Sequence, residues 1–318
     1  MCLQRRSALP HRYAHILGVS KCGTTDLYAR LAAHPSVLAS ENKGPHFWDE
    51  STHGFGWYVS LFKGGAAKLH DGTASATSIF VDASSNTLTY AGVGVRGERH
   101  PLPPVLLPQV LAWLQPALRL VAILREPAAR YYSAYLYYDK RYRIYRRYGP
   151  HGARGFAAMA AAEVDGFSRC RQAATVRRCT RLLYAETEQL IKGLYAPALE
   201  AWLSTFPPQQ LLVLRLEDYE ATPARHLRAV LAFLALARPS RALWRRMLAQ
   251  PHANRHKGGA EPMLATTRNL LQAFYAEHNE QLAHLLGEAS YLQWNDNSTG
   301  YSPPSAGRRS ADHHNTEL

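Results

Sequence analysis

The sequence predicts an α/β fold in three layers, with a central, mostly parallel sheet flanked by helices. Compact apolar runs alternate with helical patterns along the chain. A glycine-containing loop joins the first run to the first helical pattern. The 318 residues, 47% hydrophobic, can bury one large core, or one core with substantial insertions. One domain is expected over residues 13–294. From Asn295 the chain is polar and carries Pro303 and Pro304, so 295–318 is expected to be a disordered tail.

The first apolar run, 13–19, is rich in strand formers. It passes through Ser-Lys-Cys-Gly-Thr-Thr into a helical pattern of Leu27, Ala29, Leu31 and Ala32. Further strands are expected at 78–81, 118–124 and 211–216, each a short apolar run of the kind buried in a parallel sheet. Pro127 directly follows the third of these runs and suits the first position of a helix, where its missing N–H is not needed. Helices are expected at 155–164, 181–206, 223–236 and 264–286. In such a sheet, ligands bind beyond the carboxyl ends of the strands, which places the site just after Val19, Val81 and Leu124.

Lys and Arg total 37 against 24 for Asp and Glu, a formal charge of +13 that favours anionic partners in general. Neither an RNA-recognition signature nor zinc-finger cysteine spacing is present, and no nucleic-acid partner is expected. The four cysteines, at positions 2, 22, 170 and 179, are too few for a disulfide framework, and only Cys170 and Cys179 are close in sequence. Bonded, they would add about 2.5 kcal/mol through the unfolded chain and imply a secretory lumen. Two unrelated thiols are the alternative. No apolar stretch approaches the roughly 18 residues of a membrane span, and no signal or anchor is visible. Either the protein is soluble or the chain begins inside a longer one.

Residues 18–25, Gly-Val-Ser-Lys-Cys-Gly-Thr-Thr, leave a strand and enter a helix, so backbone N–H groups and the positive helix end can converge on a phosphate. A nucleotide kinase would carry lysine immediately before the hydroxyl residue; here Thr24 takes that place and the lysine lies inside the loop, at position 21. A simple connection with one exposed lysine is the plainer reading of this loop taken alone.

The segment GVSKCGTTDLYARLAAHPSV, followed by NKGPHFWDE, resembles the 5'-phosphosulfate loop and substrate element of Golgi carbohydrate sulfotransferases. It is most similar to their N-acetylgalactosamine 4-sulfate 6-O-sulfotransferase branch. Residues 120–135, LVAILREPAARYYSAY, resemble the family's 3'-phosphate element, in which Arg125 and Ser133 would hold the phosphate. Residues 213–219 resemble a shared strand and turn, and 255–259, Arg-His-Lys-Gly-Gly, the late loop that covers the nucleotide, with Gly259 where relatives carry arginine. The resemblance spans roughly 13–294. It implies a P-loop-like fold that takes 3'-phosphoadenosine 5'-phosphosulfate (PAPS) as sulfuryl donor, a carbohydrate acceptor, an anionic glycan among the candidates, and a Golgi lumenal location. Lys21, Cys22, Gly23, Thr24, Thr25, Arg125, Ser133, Lys257 and Gly258 would bind the donor, with no metal.

Sulfuryl transfer needs in-line placement, neutralisation of the leaving phosphate and a base for the acceptor hydroxyl. Lys21 suits the second task. Where many relatives carry a glutamate base, this chain has Gly44. His46 is the first substitute, against a reading as a packing residue beside Phe47 and Trp48. Asp82 is the second, against a reading as a helix cap in its Asp-Ala-Ser-Ser turn. Restoring glutamate at position 44 is expected to rescue part of any loss at His46. Tyr131, Tyr135, Tyr138, Tyr142 and Tyr145 recur at helical spacing and are expected to pack one helix face. Lys140, Arg141, Arg143, Arg146 and Arg147 form either a solvated basic face or a docking surface for an anionic glycan. Two other functions remain open: a P-loop kinase or ATPase with Asp82 on magnesium, and an inactive anion-binding relative.

Overall fold

The computed structural model describes residues 13–49, 52–75, 77–89, 107–250 and 261–296. Five strands, β1 (Tyr13–Gly18), β2 (Val37–Ala39), β3 (Ile79–Asp82), β4 (Arg119–Leu124) and β5 (Leu211–Arg215), form one parallel sheet in the order β2-β3-β1-β4-β5. The strand near the chain start is therefore central. From β1 the chain goes first to one edge for β2, returns inward to place β3 between β2 and β1, then crosses to build β4 and β5 outward on the other side. Ligands of open parallel sheets bind where the strand order reverses in this way, beyond the carboxyl end of β1.

The helices are α1 (Thr24–Ala32), α2 (Phe55–Ser60), α3 (Lys63–His70), α4 (Leu107–Leu114), α5 (Pro127–Tyr142) and α6 (Ala153–Ala173). They continue with α7 (Val176–Ile191), α8 (Tyr195–Leu203), α9 (Leu216–Ala221), α10 (Pro223–Phe233), α11 (Arg241–Leu248) and α12 (Ala265–Leu286). One apolar core surrounds the sheet, where the wholly buried Leu120–Leu124 run of β4 meets Leu27 and Leu31 of α1, Leu199 and Trp202 of α8, and Leu227 and Val230 of α10. A second core joins α5, α6, α7 and α12 through Tyr131, Tyr135, Phe156, Phe167, Leu190, Leu271 and Tyr275. Cys170 and Cys179 are bonded across the α6–α7 turn, with Cα atoms 5.8 Å apart.

Four expected strands lie within one residue of the observed bounds at each end. β2 was not expected, because three residues offer no period to read. The helix expected over 181–206 is two helices, α7 and α8, separated at Lys192–Leu194. A Cβ on Gly193 would lie 2.7 Å from the Tyr275 ring, so the break lets α12 press against the chain there. The tyrosine stripe packs only in part. Tyr131 and Tyr135 are buried, Tyr142 is exposed, and α5 ends at Arg143 with φ 57°, after which Tyr145 turns back and stacks on Tyr135 at 5.6 Å. Lys140, Arg141, Arg143, Arg146 and Arg147 are all exposed. Residues 297–318 of the expected tail lie outside the described residues.

Candidate active site

At the end of β1 the chain is pinned twice. Val19 N–H donates to Ile123 O on β4 at 3.0 Å, and Gly18, with φ 139°, comes so close to Ser85 O that a Cβ there would lie 2.4 Å away. The loop then curls tightly. Cys22 N–H donates to Val19 O at 3.1 Å, Lys21 adopts φ 72°, and Gly23, with φ 82°, caps α1. A left-handed conformation costs a non-glycine residue on the order of 1–2 kcal/mol, so the tight curl at Lys21 is held by its surroundings. The first-turn N–H groups of α1 have no partner inside the helix and point back toward this loop, which gives its mouth positive character.

Three cationic side chains gather there. Lys21 Nζ sits 3.9 Å from the centre of the Tyr137 ring, and Arg125 Nη1 donates to Lys21 O at 3.3 Å. Lys43 Nζ donates to the Thr24 hydroxyl at 3.3 Å. Burial, followed by the charges of Arg125 and Arg130, pushes the Lys21 ammonium down to about 8; burial pushes Lys43 to about 8 against the pull of Asp82. Such depressed values mark positive charge held together partly out of water, which a polyanion would relieve.

Arg125 leaves β4 just before α5, whose first turn is capped by Glu126, its two carboxylate oxygens accepting from Ala128 N–H (3.0 Å) and Ala129 N–H (2.6 Å), with Pro127 in the first turn as expected. Ser133 and Tyr137 are four residues apart and so share a face of α5. Because Tyr137 touches Lys21, that face looks onto the loop. Arg125 is further fixed by Tyr195, whose hydroxyl donates to Arg125 O at 2.8 Å.

Residues 43–46 run along the end of β3. Ala83 N–H donates to Lys43 O at 3.2 Å, and His46 N–H to the Ser84 hydroxyl at 2.9 Å. His46 Nδ1 lies 2.9 Å from Asp49 Oδ1, whose carboxylate is buried and whose Oδ2 lies 3.0 Å from the Thr87 hydroxyl. With Nδ1–H directed at that carboxylate, Nε2 carries the lone pair of the neutral ring. Asp82 is buried, accepting from Ser84 N–H (2.8 Å) and the Ser84 hydroxyl (2.6 Å) at Oδ1 and from Tyr58 OH (2.9 Å) at Oδ2. Burial raises its affinity for a proton, but His15 and the Ser84 bonds outweigh this and hold the carboxyl at about 2. Both oxygens are committed, and a carboxylate so stabilised is a poor base.

The structure thus brings Lys21, Gly23, Thr24, Thr25 and Arg125 to one loop mouth, faces it with the Ser133 side of α5, and borders it with the His46 segment. Cys22 is turned away. Its amide is used inside the loop, and its thiol is wholly buried near Tyr195 OH (3.8 Å) and pushed up to about 11 by burial. Lys257 and Gly258 lie outside the described residues. Sequence reasoning missed Lys43, Asp49 and Tyr137 as members of this site. Tyr137 was hidden among the packing tyrosines, although its spacing from Ser133 places it on Ser133's face. Gly44 also departs from expectation. A Cβ there would lie 2.9 Å from Ala83 O, a backbone atom, so this path has no room for a side chain without a shift.

Residues 13–249 match the family described as the sulfotransferase domain. The chain is 31% identical to human carbohydrate sulfotransferase 15, over 90% of this chain and 55% of that protein. It is 25% identical to human bifunctional heparan sulfate N-deacetylase/N-sulfotransferase 3, over 85% of this chain and 29% of the relative. It therefore spans about half the length, or less, of these curated relatives. Among solved structures, the sulfotransferase from Alicyclobacillus acidocaldarius shares the fold with a TM-score of 0.56 at 21% identity, covering 89% of this chain and 98% of that one. A parallel sheet with a cationic loop at its switch point and the matched family domain lead to one conclusion: the chain belongs to the sulfotransferase family.

Proposed function

We propose that this chain transfers a sulfuryl group from PAPS to a hydroxyl of a carbohydrate, of the glycosaminoglycan-like or other anionic kind, in the Golgi lumen. The observation that carries the reading is the set of cations at the mouth of the loop before α1, Lys21, Lys43 and Arg125, the two lysines depressed to about 8 by burial, with the charges of Arg125 and Arg130 adding to it at Lys21. That donor set fits an anionic nucleotide. Lys21, Thr24, Thr25 and the first turn of α1 would hold its 5' side, and Arg125 with Ser133 its 3'-phosphate, for which a planar guanidinium beside a hydroxyl is well shaped. Bound there, the donor supplies the activated sulfuryl group.

The protein's own part is electrostatic and positional. Lys21 Nζ neutralises charge on the leaving phosphate. His46 Nε2 accepts the proton of the acceptor hydroxyl while Nδ1–H stays on Asp49, which orients the ring and stabilises the imidazolium that forms. Asp82 serves as an anchor, holding Ser84 and through it the His46 backbone. The Cys170–Cys179 bond and the similarity to carbohydrate sulfotransferases support an oxidising secretory compartment. Among the described residues no helix is long and apolar enough to cross a membrane.

Calorimetric titration tests the donor assignment. Adenosine 3',5'-bisphosphate should bind well above both adenosine 5'-monophosphate and Mg-ATP, and Arg125→Ala should erase most of the preference for the bisphosphate over the monophosphate. Tighter binding of Mg-ATP, or equal loss for both adenosine nucleotides in Arg125→Ala, contradicts it.

A further inference from the structure

The segment that begins at Lys43 does not end its course at His46. It continues into Phe47 and Trp48, which meet Phe55 and Tyr58 of α2 in one aromatic cluster. Phe47 stacks on Tyr58 with ring centres 4.8 Å apart and planes 19° apart; Trp48 meets Tyr58 edge-on at 5.6 Å; Phe55 lies 5.9 Å from Phe47 and 6.4 Å from Trp48. The cluster is fixed from beneath. Tyr58 is buried and its hydroxyl is bound to the Asp82 carboxylate at 2.9 Å, while Phe62 bridges Tyr58 (5.4 Å) to Phe80 of β3 (5.7 Å). Its upper surface is open. Phe55 is 54% exposed, and Phe47 and Trp48 are half-buried.

A rigid aromatic surface open to water, beside a base and one segment away from a cationic phosphate loop, matches one kind of guest. A pyranose presents C–H groups on its ring face and hydroxyls at its rim. The face packs on aromatic carbon while a rim hydroxyl reaches a base. We propose that Phe47, Trp48 and Phe55 form the acceptor subsite, a platform that takes the apolar face of the acceptor's pyranose ring and aims one hydroxyl at His46. This rests on the reading of the acceptor as a carbohydrate. The platform is continuous with the donor site because Lys43, three residues before His46, is bound to Thr24 of the phosphate loop. An acceptor seated on it lies on the same strand-end surface as the loop. The tie from Tyr58 to Asp82 gives that carboxylate its function, since one buried group holds both the platform through Tyr58 and the His46 backbone through Ser84.

The test measures binding without turnover. Protein is first saturated with adenosine 3',5'-bisphosphate and then titrated with chondroitin and heparan sulfate hexasaccharides, following tryptophan emission and heat. At least one hexasaccharide should bind and shift the emission, because Trp48 gains a partner. Phe55→Ala and Trp48→Leu should each weaken that binding about five- to tenfold, as expected for loss of one stacked ring, with bisphosphate affinity unchanged. Linear polyphosphate, equally charged but without a ring face, should bind both variants as it binds the parent. The inference is overturned if both variants hold the hexasaccharide as tightly as the parent, if polyphosphate binding falls by the same factor, or if no hexasaccharide binds the bisphosphate-saturated protein. Failure of the bisphosphate itself to bind would instead strike the donor assignment, and with it the acceptor reading on which the platform rests.

Discussion

At Lys21 three influences meet: a left-handed backbone, a π face 3.9 Å away, and burial that, with neighbouring positive charge, lowers the ammonium to about 8. An anion that binds there favours the protonated form, so its binding should take up protons at pH 8–9 and weaken as pH rises through about 8, where the free site loses its charge. Lys21→Ala should remove its share of this pH dependence, leaving that of Lys43, and lower kcat roughly a hundredfold or more, with a smaller loss of bisphosphate affinity. Calorimetry in buffers of different ionisation enthalpy reads the proton count; an absence of uptake would mean the lysines do not face the anion. For the base, His46→Ala should abolish most turnover, and Asp49→Asn should cut kcat at least tenfold while bisphosphate affinity holds, because the amide no longer fixes the ring tautomer. Unchanged kcat in His46→Ala would remove the histidine from the mechanism. Gly44→Glu, once expected to rescue, should impair instead, since its Cβ meets the Ala83 carbonyl at 2.9 Å. The placement of the loop lysine and of Arg125 was legible because a glycine loop between strand and helix, and an arginine at a strand end, have fixed positions in such a sheet. Asp49 and Lys43 were not. Asp49 takes its role from its contact with His46, held in place by Thr87, and Lys43 from its contact with Thr24, all of which only the folded chain creates.

Among the elements, the four longer strands and the helix begun at Pro127 could be read from apolar runs and a single proline, whereas β2 and the break between α7 and α8 could not. The break depends on Tyr275, far along the chain, pressing where Gly193 has no side chain. The α6–α7 turn gives the clearest test at this scale. Its Cys170–Cys179 bond closes a short loop and limits the unfolded chain, so replacing both cysteines with serine should lower unfolding free energy by about 2–3 kcal/mol. Bisphosphate affinity should be little changed, because neither cysteine is among the side chains gathered at the loop before α1. Denaturant unfolding with and without reductant measures it. Equal stability of the parent in both conditions would show that the bond does not form.

Over the whole molecule, strand order and chemistry coincide. The sheet reverses direction of growth at β1, and the loop, Arg125 and the His46 segment all lie at the carboxyl ends of β1, β4 and β3. The +13 formal charge of the chain favours anionic partners in general. The central claim is sulfuryl transfer to carbohydrate, and the measurement that tests it most directly is the fate of PAPS labelled in its sulfuryl group, incubated with the protein and a broad glycan panel. The account predicts label in at least one glycan as an O-sulfate ester, dependent on Lys21 and His46 and inhibited by adenosine 3',5'-bisphosphate. A protein that binds the bisphosphate yet transfers label to no glycan would contradict it, and would instead be an anion-binding relative that keeps the fold without the reaction.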